Sequence, residues 1–132
     1  MAAIANPYGR LILIVDDEPM ILRSVSATLA EAGFRIMVAE NGAAGLDAFL
    51  RLAEQIDLVL TDVVMPIMDG IAMADAIKRH TPDARIVLMT GYSEPVIASM
   101  RGGSFPLIRK PFLSEDLLRI MNANLDPPAA TA

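Results

Sequence analysis

Short apolar runs alternate with amphipathic stretches along most of this sequence, and that alternation restricts the fold more than any other feature. The runs are rich in Val, Ile and Leu, as expected of strands buried on both faces of a sheet, and they are too short for typical helices. They cover residues 11–15, 35–39, 58–61, 86–89 and, more weakly, 106–109. The pattern therefore predicts five buried strands.

The stretches between the runs carry apolar residues at helical spacing, which predicts one helix after each strand. The apolar stripes are Ile21, Leu22, Val25 and Leu29; Leu46, Phe49 and Leu50; Met73, Ala74 and Ile77; and Leu117, Leu118 and Met121. A shorter fourth helix is expected at residues 94–101. Five strand–helix units joined by right-handed crossovers predict an α/β fold, with a parallel five-stranded sheet and helices on both faces.

Capping and breaking residues agree with these boundaries. Pro19 suits the first turn of the first helix, and Gly33 suits the position just after its end. Ser93 and Ser114 are predicted to cap the fourth and fifth helices. Asp69, which precedes a glycine, is interpreted as a turn residue and the cap of the third helix rather than as a ligand.

Length and charge limit the domain organisation. The 132 residues suit one domain, which we place at residues 11–124, after an N-terminal extension at residues 1–10 and before a tail at residues 125–132 that we expect to be disordered. A net charge of -5 disfavours direct nucleic-acid binding, and the absence of cysteine excludes disulfides and thiolate metal sites. We recognise neither a membrane span nor a signal peptide, so we expect a cytoplasmic protein without a membrane partner.

Polar side chains follow four of the predicted strands, at the point where each strand ends. Asp16 and Asp17 follow the first strand, Asp62 the third, Thr90 the fourth and Lys110 the fifth. In an open α/β sheet, ligands bind beyond the carboxyl ends of the strands, near the switch in strand order. We therefore expect these side chains to form one site.

The residue types indicate a metal-assisted phosphoryl site. Converging carboxylates repel one another unless a cation lies between them, and oxygen ligands suit Mg²⁺ or Mn²⁺ rather than zinc. The one histidine, His80, is predicted at the end of the third helix, away from this edge. A bound Mg²⁺ would neutralise an incoming phosphoryl group and leave Asp62 able to attack it. Thr90 and Lys110 offer a hydrogen bond and a positive charge to that group, and Gly91 leaves the approach open.

Four segments resemble the receiver domains of two-component signalling. They are IVDDEP at residues 14–19, LTDVVMPIMDG at residues 60–70, MTGY at residues 89–92 and KPF at residues 110–112. The resemblance extends over residues 11–122 with the motifs in order. It implies a flavodoxin-like, doubly wound sheet with strand order 2-1-3-4-5.

The resemblance also implies roles for the site residues. Phosphotransfer is expected from a histidine kinase or histidine phosphotransfer protein to Asp62, while Thr90 and Lys110 bind the phosphoryl group and relay its presence. The implied Mg²⁺ ligands are Asp17, Asp62, the backbone carbonyl of Val64 and, through water, Asp16. Such a domain is not a classical enzyme, although it assists its own phosphorylation and dephosphorylation. It switches a surface that binds a downstream protein, which the sequence does not name.

Two features of the sequence depart from the family pattern. Leu107 lies where many receivers have Tyr or Phe, and Phe105 shares its strand face only if the strand is regular past Pro106. The predicted fourth helix is also short, because Gly102 and Gly103 follow it. The output is therefore expected to be unusual. The motifs further resemble receivers attached to hybrid sensor kinases, so a free-standing regulator and part of a longer kinase both remain open.

Two other functional classes compete with this interpretation. A haloacid-dehalogenase-like phosphatase also uses an Asp nucleophile, Thr, Lys and Mg²⁺, but it needs a second acid two residues after the nucleophile, where this sequence has Val64. A degenerate receiver acting only as an interaction module typically loses the acceptor or the lysine, and this sequence keeps both. Labelling by a small phosphodonor distinguishes the three classes.

Overall fold

The computed structural model describes residues 9–99 and 105–125, apart from the side chain of Glu94. The strands are β1 (Leu11–Val15), β2 (Arg35–Ala39), β3 (Ile56–Asp62), β4 (Ile86–Thr90) and β5 (Leu107–Arg109). The helices are α1 (Pro19–Glu31), α2 (Gly42–Leu52), α3 (Gly70–His80), α4 (Glu94–Ser99) and α5 (Ser114–Leu125). The predicted alternation of strands and helices is confirmed. β3 includes Asp62 and β4 includes Thr90, the polar residues that were expected just after these strands. No helix in this part of the chain is long and apolar enough to cross a membrane.

All four strand pairings are parallel, and the order is β2-β1-β3-β4-β5. The predicted flavodoxin-like sheet is therefore confirmed. The chain passes from β1 to β2 on one side and then returns to place β3 on the other side of β1. The strand order thus reverses between β1 and β3, where Val15 pairs with Thr61. Ligand sites of such sheets form at this reversal, beyond the carboxyl ends of the strands.

The sheet is buried on both faces, which explains the unbroken apolar runs of its inner strands. Leu13 of β1 belongs to a cluster with Phe49 of α2 and Ile77 of α3, on the face that α4 also covers. Ile14, the next residue, belongs to the opposite cluster with Leu29 of α1, on the face that α5 also covers. This alternation follows from the two-residue period of a strand.

Most of the predicted helix boundaries are confirmed. Pro19 lies in the first turn of α1, and Gly33 follows that helix with φ 102, a left-handed conformation that glycine adopts without strain. The Asp69 side chain caps α3 by accepting the backbone N–H of Ala72 at 2.8 Å. Ser93 directly precedes α4, and its carbonyl accepts the first amide of that helix.

Three details of the sequence interpretation are wrong or displaced. Ser114 is the first residue of α5 rather than its cap, since the carbonyl of Leu113 accepts the first amides of the helix. Leu50 is exposed because the buried stripe of α2 follows Gly42, Gly45 and Phe49, about 100° away on the helix. Leu125, placed at the start of the tail, instead ends α5 and is buried. Residues 1–8 of the predicted extension and residues 126–132 of the tail lie outside the described residues.

Close backbone packing holds the helix starts against the strand ends. A Cβ added to Gly70 would overlap the carbonyl oxygen of Asp62, so α3 begins in direct contact with the end of β3. The Gly70 N–H also donates to the carbonyl of Val63 at 2.7 Å. A Cβ at Gly45 would lie 2.9 Å from a Val15 methyl, which brings α2 equally close to β1. These contacts fix the loop that follows Asp62.

Candidate functional site

Three carboxylates meet where the strand order reverses. One oxygen from each of Asp16, Asp17 and Asp62 lies within 4.8 Å of the others, a grouping that can hold a metal ion. Asp16 and Asp17 directly follow β1, and Asp62 ends the neighbouring strand β3. The convergence expected from strand-end placement is therefore present in the structure.

Lys110 lies among these acids. Its Nζ is 2.9 Å from Oδ2 of Asp16, 3.4 Å from Oδ1 of Asp62 and 3.9 Å from Oε1 of Glu18. The backbone N–H of Lys110 donates to the carbonyl of Thr90 at 2.8 Å, which sets the lysine beside the end of β4. Only 16% of its side chain is exposed. The ammonium is thus a largely buried positive charge within the acidic group.

Asp16 is fully buried, and both of its carboxylate oxygens are engaged by the protein. Oδ1 accepts the backbone N–H of Glu18 at 2.9 Å, and Oδ2 accepts a hydrogen bond from Lys110. Its own backbone N–H donates to the carbonyl of Ala39 on β2 at 3.1 Å. Asp16 therefore positions Lys110, and its carboxylate has less free capacity for other ligands than its neighbours have.

Burial and charge act in opposite directions on the titration of Asp62. Burial raises the pKa of its carboxyl, the negative charge of Asp16 raises it further, and Lys110 compensates only in part, so the pKa lies above its usual range. Burial alone would lower the pKa of Lys110. The hydrogen bond to Asp16 and the charges of both aspartates outweigh burial and raise that pKa. Burial and the charge of Asp16 thus disfavour the charged form of Asp62, which a nearby cation would favour.

The end of β4 supplies a hydroxyl and an open approach. Thr90 is buried, and its Oγ1 accepts the backbone N–H of Tyr92 at 3.0 Å. Since that bond uses a lone pair, the hydroxyl hydrogen stays available for donation. A Cβ added to Gly91 would meet no atom within 4 Å, so the space beside Thr90 is open. Val64, half-exposed in the loop after Asp62, is the remaining predicted ligand.

Leu107 and Phe105 both pack, half-buried, against the core on the α2–α3 side. Phe105 lies two residues before β5 begins at Leu107, so it is not part of the regular strand. The position that carries an aromatic ring in many receivers is therefore occupied by an aliphatic side chain in the core. Leu107 therefore departs from the family pattern in the structure as it does in the sequence.

Features at the opposite edge of the sheet do not contribute to this site. His80 ends α3, and its Nδ1 is 2.8 Å from the Thr81 hydroxyl. A cavity of about 530 Å³ opens at the amino ends of β4 and β5, lined by Lys78, Asp83 and Arg85 among others. In a parallel sheet these strand ends lie opposite the carboxyl ends that carry Asp62.

Two contributions at the site have no clear sequence signal. Glu18 approaches Lys110, although the sequence marks it only as part of an acidic run. Ile67, in the loop after Asp62, has a positive φ of 72. Glycine and asparagine are the residues that usually indicate a left-handed conformation, and this position has isoleucine instead. The sequence therefore does not predict the conformation of Ile67.

Both the sequence and the fold are similar to those of known receiver domains. The model of the response regulator receiver domain family matches residues 12–122. The chemotaxis protein CheY of Bacillus subtilis is 34% identical over 118 residues, which are 87% of this chain and 97% of that protein. The regulatory protein AtoC of Escherichia coli is 36% identical over 116 residues, which are 86% of this chain but 25% of AtoC. This chain thus spans about a quarter of AtoC. A crystal structure of a receiver domain protein from Clostridium thermocellum superimposes with a TM-score of 0.80 and 31% identity, covering 88% of this chain and 94% of that one.

The ion pair between Lys110 and Asp16 can be tested through stability. Lys110→Met keeps the apolar stem but leaves the buried Asp16 carboxylate without its partner, which should lower the free energy of unfolding by about 3–5 kcal/mol. Urea denaturation without divalent cations measures the loss. The double variant Asp16→Asn with Lys110→Met removes both charges, so it should recover a large part of the lost free energy of unfolding. A double variant as unstable as the sum of the single variants would contradict the coupling.

Proposed function

Since this chain belongs to the response regulator receiver domain family, we propose that it accepts a phosphoryl group on Asp62 from a phosphohistidine. The donor is a histidine kinase or a histidine phosphotransfer protein, and phosphorylation changes a surface that binds a downstream protein. The observation that carries the proposal is the placement of Asp62 between two further carboxylates and the Lys110 ammonium, 3.4 Å away.

In the proposed reaction, a carboxylate oxygen of Asp62 attacks phosphorus. A P–O bond forms as the P–N bond to the donor imidazole breaks, and the imidazole leaves with the electron pair of that bond. Lys110 can turn from Asp16 toward a phosphoryl oxygen, because its Nζ already lies between the two aspartates. Thr90 donates its hydroxyl hydrogen to another phosphoryl oxygen. Such oriented donors stabilise the charge of the transferring group.

The acidic group fits Mg²⁺ or Mn²⁺, because its ligands are all oxygen atoms. In this proposal Asp17, Asp62 and the backbone carbonyl of Val64 would contact the ion directly. Asp16 would act through water, since its two oxygens already accept hydrogen bonds within the protein. When bound, the ion supplies charge neutralisation for the phosphoryl group and the carboxylates.

The alternatives predict different chemistry at the same site. The family match and Val64, which occupies the position where the phosphatase needs an acid, both argue against a haloacid-dehalogenase-like enzyme. A receiver that serves only as an interaction module would be inert toward phosphodonors. This chain keeps both Asp62 and Lys110, and Nζ of Lys110 lies 3.4 Å from Oδ1 of Asp62. These two facts favour the phosphoacceptor function.

We infer that the response to phosphorylation centres on the segment after Thr90. Within the described residues α4 covers six positions, and of its described side chains only Ile97 is buried. The described part of this helix is therefore held to the core by few buried contacts. α5, by contrast, is anchored in the core by Leu117 and Met121. Leu107 has no aromatic ring that could change its rotamer on phosphorylation. We therefore expect α4, rather than β5, to change its arrangement.

Asp62→Asn should abolish phosphorylation. The substitution is nearly isosteric, so the fold should persist while the nucleophilic oxygen is lost. Incubation with phosphoramidate and Mg²⁺, followed by intact mass measurement, should detect one added phosphoryl group in the wild type and none in the variant. Asp69→Asn is the matched control, because Asn caps α3 as well as Asp does. Stoichiometric labelling of Asp62→Asn would disprove the assignment.

Asp17→Ala should weaken Mg²⁺ binding by at least about tenfold, because it removes an oxygen ligand and a charge. Isothermal titration measures the affinity, with Asp75→Ala on α3 as a control of equal charge change. The metal-free variant should also be more stable to urea, since Asp16 and Asp62 then have one fewer negative neighbour. Unchanged Mg²⁺ affinity would rule out Asp17 as a ligand.

Amide hydrogen exchange should locate the conformational response. Adding beryllium fluoride and Mg²⁺, which mimic the phosphoryl group, should change protection mainly in residues 92–99, because few contacts hold α4. The same response is expected through residue 104, although residues 100–104 lie outside the described residues. Amides of α5 should change little. Equal protection of residues 92–99 in both states, with changes elsewhere, would refute this location.

A further inference from the structure

The cavity at the amino ends of β4 and β5 has a lining of mixed charge. Its volume is about 530 Å³, a size at which protein cavities hold small molecules. Helix α3 and the segment just before β4 supply two acids and two bases to its wall: Asp75, Lys78, Asp83 and Arg85. We call this space the lower cavity, because it lies at the edge of the sheet opposite the one that carries Asp62.

Arg85 is a half-buried cation without a protein counter-charge. Within the described part of the chain its guanidinium makes no hydrogen bond or ion pair. Its backbone carbonyl accepts the N–H of Val59 at 2.9 Å, which fixes the main chain at the start of β4. A guanidinium that is partly removed from water without a partner is unfavourable, and arginine commonly binds a carboxylate through two parallel N–H bonds. Arg85 is therefore suited to an anionic group of a ligand.

The other charged side chains of the lower cavity make the lining neutral as a whole. Lys78 donates from Nζ to the Pro82 carbonyl at 3.2 Å, which leaves N–H donors for a second acceptor. Among the described residues, the carboxylates of Asp75 and Asp83 accept no hydrogen bond and form no ion pair. A ligand of one sign would be attracted by two of these four groups and repelled by the other two. A ligand that carries both signs can place each charge beside its opposite.

The rest of the lining combines apolar surface with one amide. Ile86, Phe105 and Pro106 form an apolar part of the wall at the starts of β4 and β5. Asn124 of α5 donates from Nδ2 to the Ile120 carbonyl at 2.8 Å, so its Oδ1 remains an acceptor. An aromatic ring such as that of Phe105 packs well against a second ring. The lining thus suits a ligand with an apolar body as well as two charged ends.

We propose that the lower cavity binds a small zwitterion with an apolar body, of the chemical class of the aromatic amino acids. Arg85 and Lys78 bind its carboxylate, and Asp75 binds its ammonium group together with the Asn124 amide oxygen. The apolar body packs against Phe105. This site is separate from the phosphoacceptor site, so the inference does not depend on the proposed function.

Three probes that differ only in charge test the proposal. L-phenylalanine carries both charges, 3-phenylpropanoate lacks the ammonium group and 2-phenylethylamine lacks the carboxylate. In ¹H–¹⁵N NMR titrations of the metal-free chain, phenylalanine should bind with a Kd in the low millimolar range or tighter and shift amides of residues 75–86 and 105–106. Each single-charge analogue should bind at least about tenfold more weakly.

Two results of these titrations would overturn the proposal. One is the absence of saturable shifts at the lower cavity with phenylalanine up to about 20 mM, a concentration that detects even millimolar affinity. The other is equal affinity for the three probes, since binding would then depend on the apolar body alone.

Substitutions assign the two charges of the probe. Arg85→Met keeps the apolar stem and should weaken phenylalanine binding at least about tenfold. Arg79→Met is the matched control, because Arg79 is exposed on α3 and does not line the cavity. Asp75→Asn should weaken binding of phenylalanine but not of 3-phenylpropanoate, which has no ammonium group. Unchanged phenylalanine affinity in Arg85→Met would show the proposal to be wrong.

Two further measurements separate ligand binding from folding and from phosphorylation. The urea midpoint of Arg85→Met should equal or exceed that of the wild type, because no protein ion pair is lost. A lower midpoint would mean that the guanidinium stabilises the fold, which would remove the argument for a ligand. Labelling by phosphoramidate should be unchanged in all three variants. A failure of labelling in the wild type would overturn the phosphoacceptor function and leave the lower cavity to be decided by the titrations.

Discussion

The ion pair between Lys110 and Asp16 joins residues that are 94 positions apart and that follow strands separated in the sheet by β3 and β4. It forms only when β1, β3, β4 and β5 lie side by side in this order. Without the ammonium, the three carboxylates at the strand-order reversal would lack their protein counter-charge, and Asp16 would be an unpaired charge in the interior. The geometry of the site therefore depends on a contact that the strand order brings together.

The acids of the site divide structural and ligand roles according to their burial. Asp16 has its two oxygens engaged by a backbone amide and by Lys110, so it acts as part of the scaffold. Asp17 is exposed, whereas Asp62 is buried, and its pKa is raised by burial and by Asp16. A bound cation would favour the charged form of Asp62 that burial and Asp16 disfavour.

The loops around Asp62 differ in rigidity, and that difference has functional consequences. The loop after β3 is fixed by Gly70 and by a capped helix, so it can hold Ile67 in a strained and exposed conformation. The segment after β4 leads into α4, whose one buried side chain among those described is Ile97. A rigid loop keeps Asp62 in one position, whereas a helix with few buried contacts can change its arrangement more easily.

Local patterns in the sequence were sufficient to predict the five strands and the strand ends that carry Asp62 and Lys110, because each residue's burial and spacing leave a pattern in the sequence. The order of the strands was predicted from the family resemblance. Local patterns were insufficient for Ser114 and Leu50, since the exact start of a helix and the direction of its buried stripe depend on the neighbouring layers. Only the tertiary structure decided that Lys110 lies closer to Asp16 than to Asp62, and that Ile67 adopts a left-handed backbone. Both features arise from packing between distant segments, which no local pattern encodes.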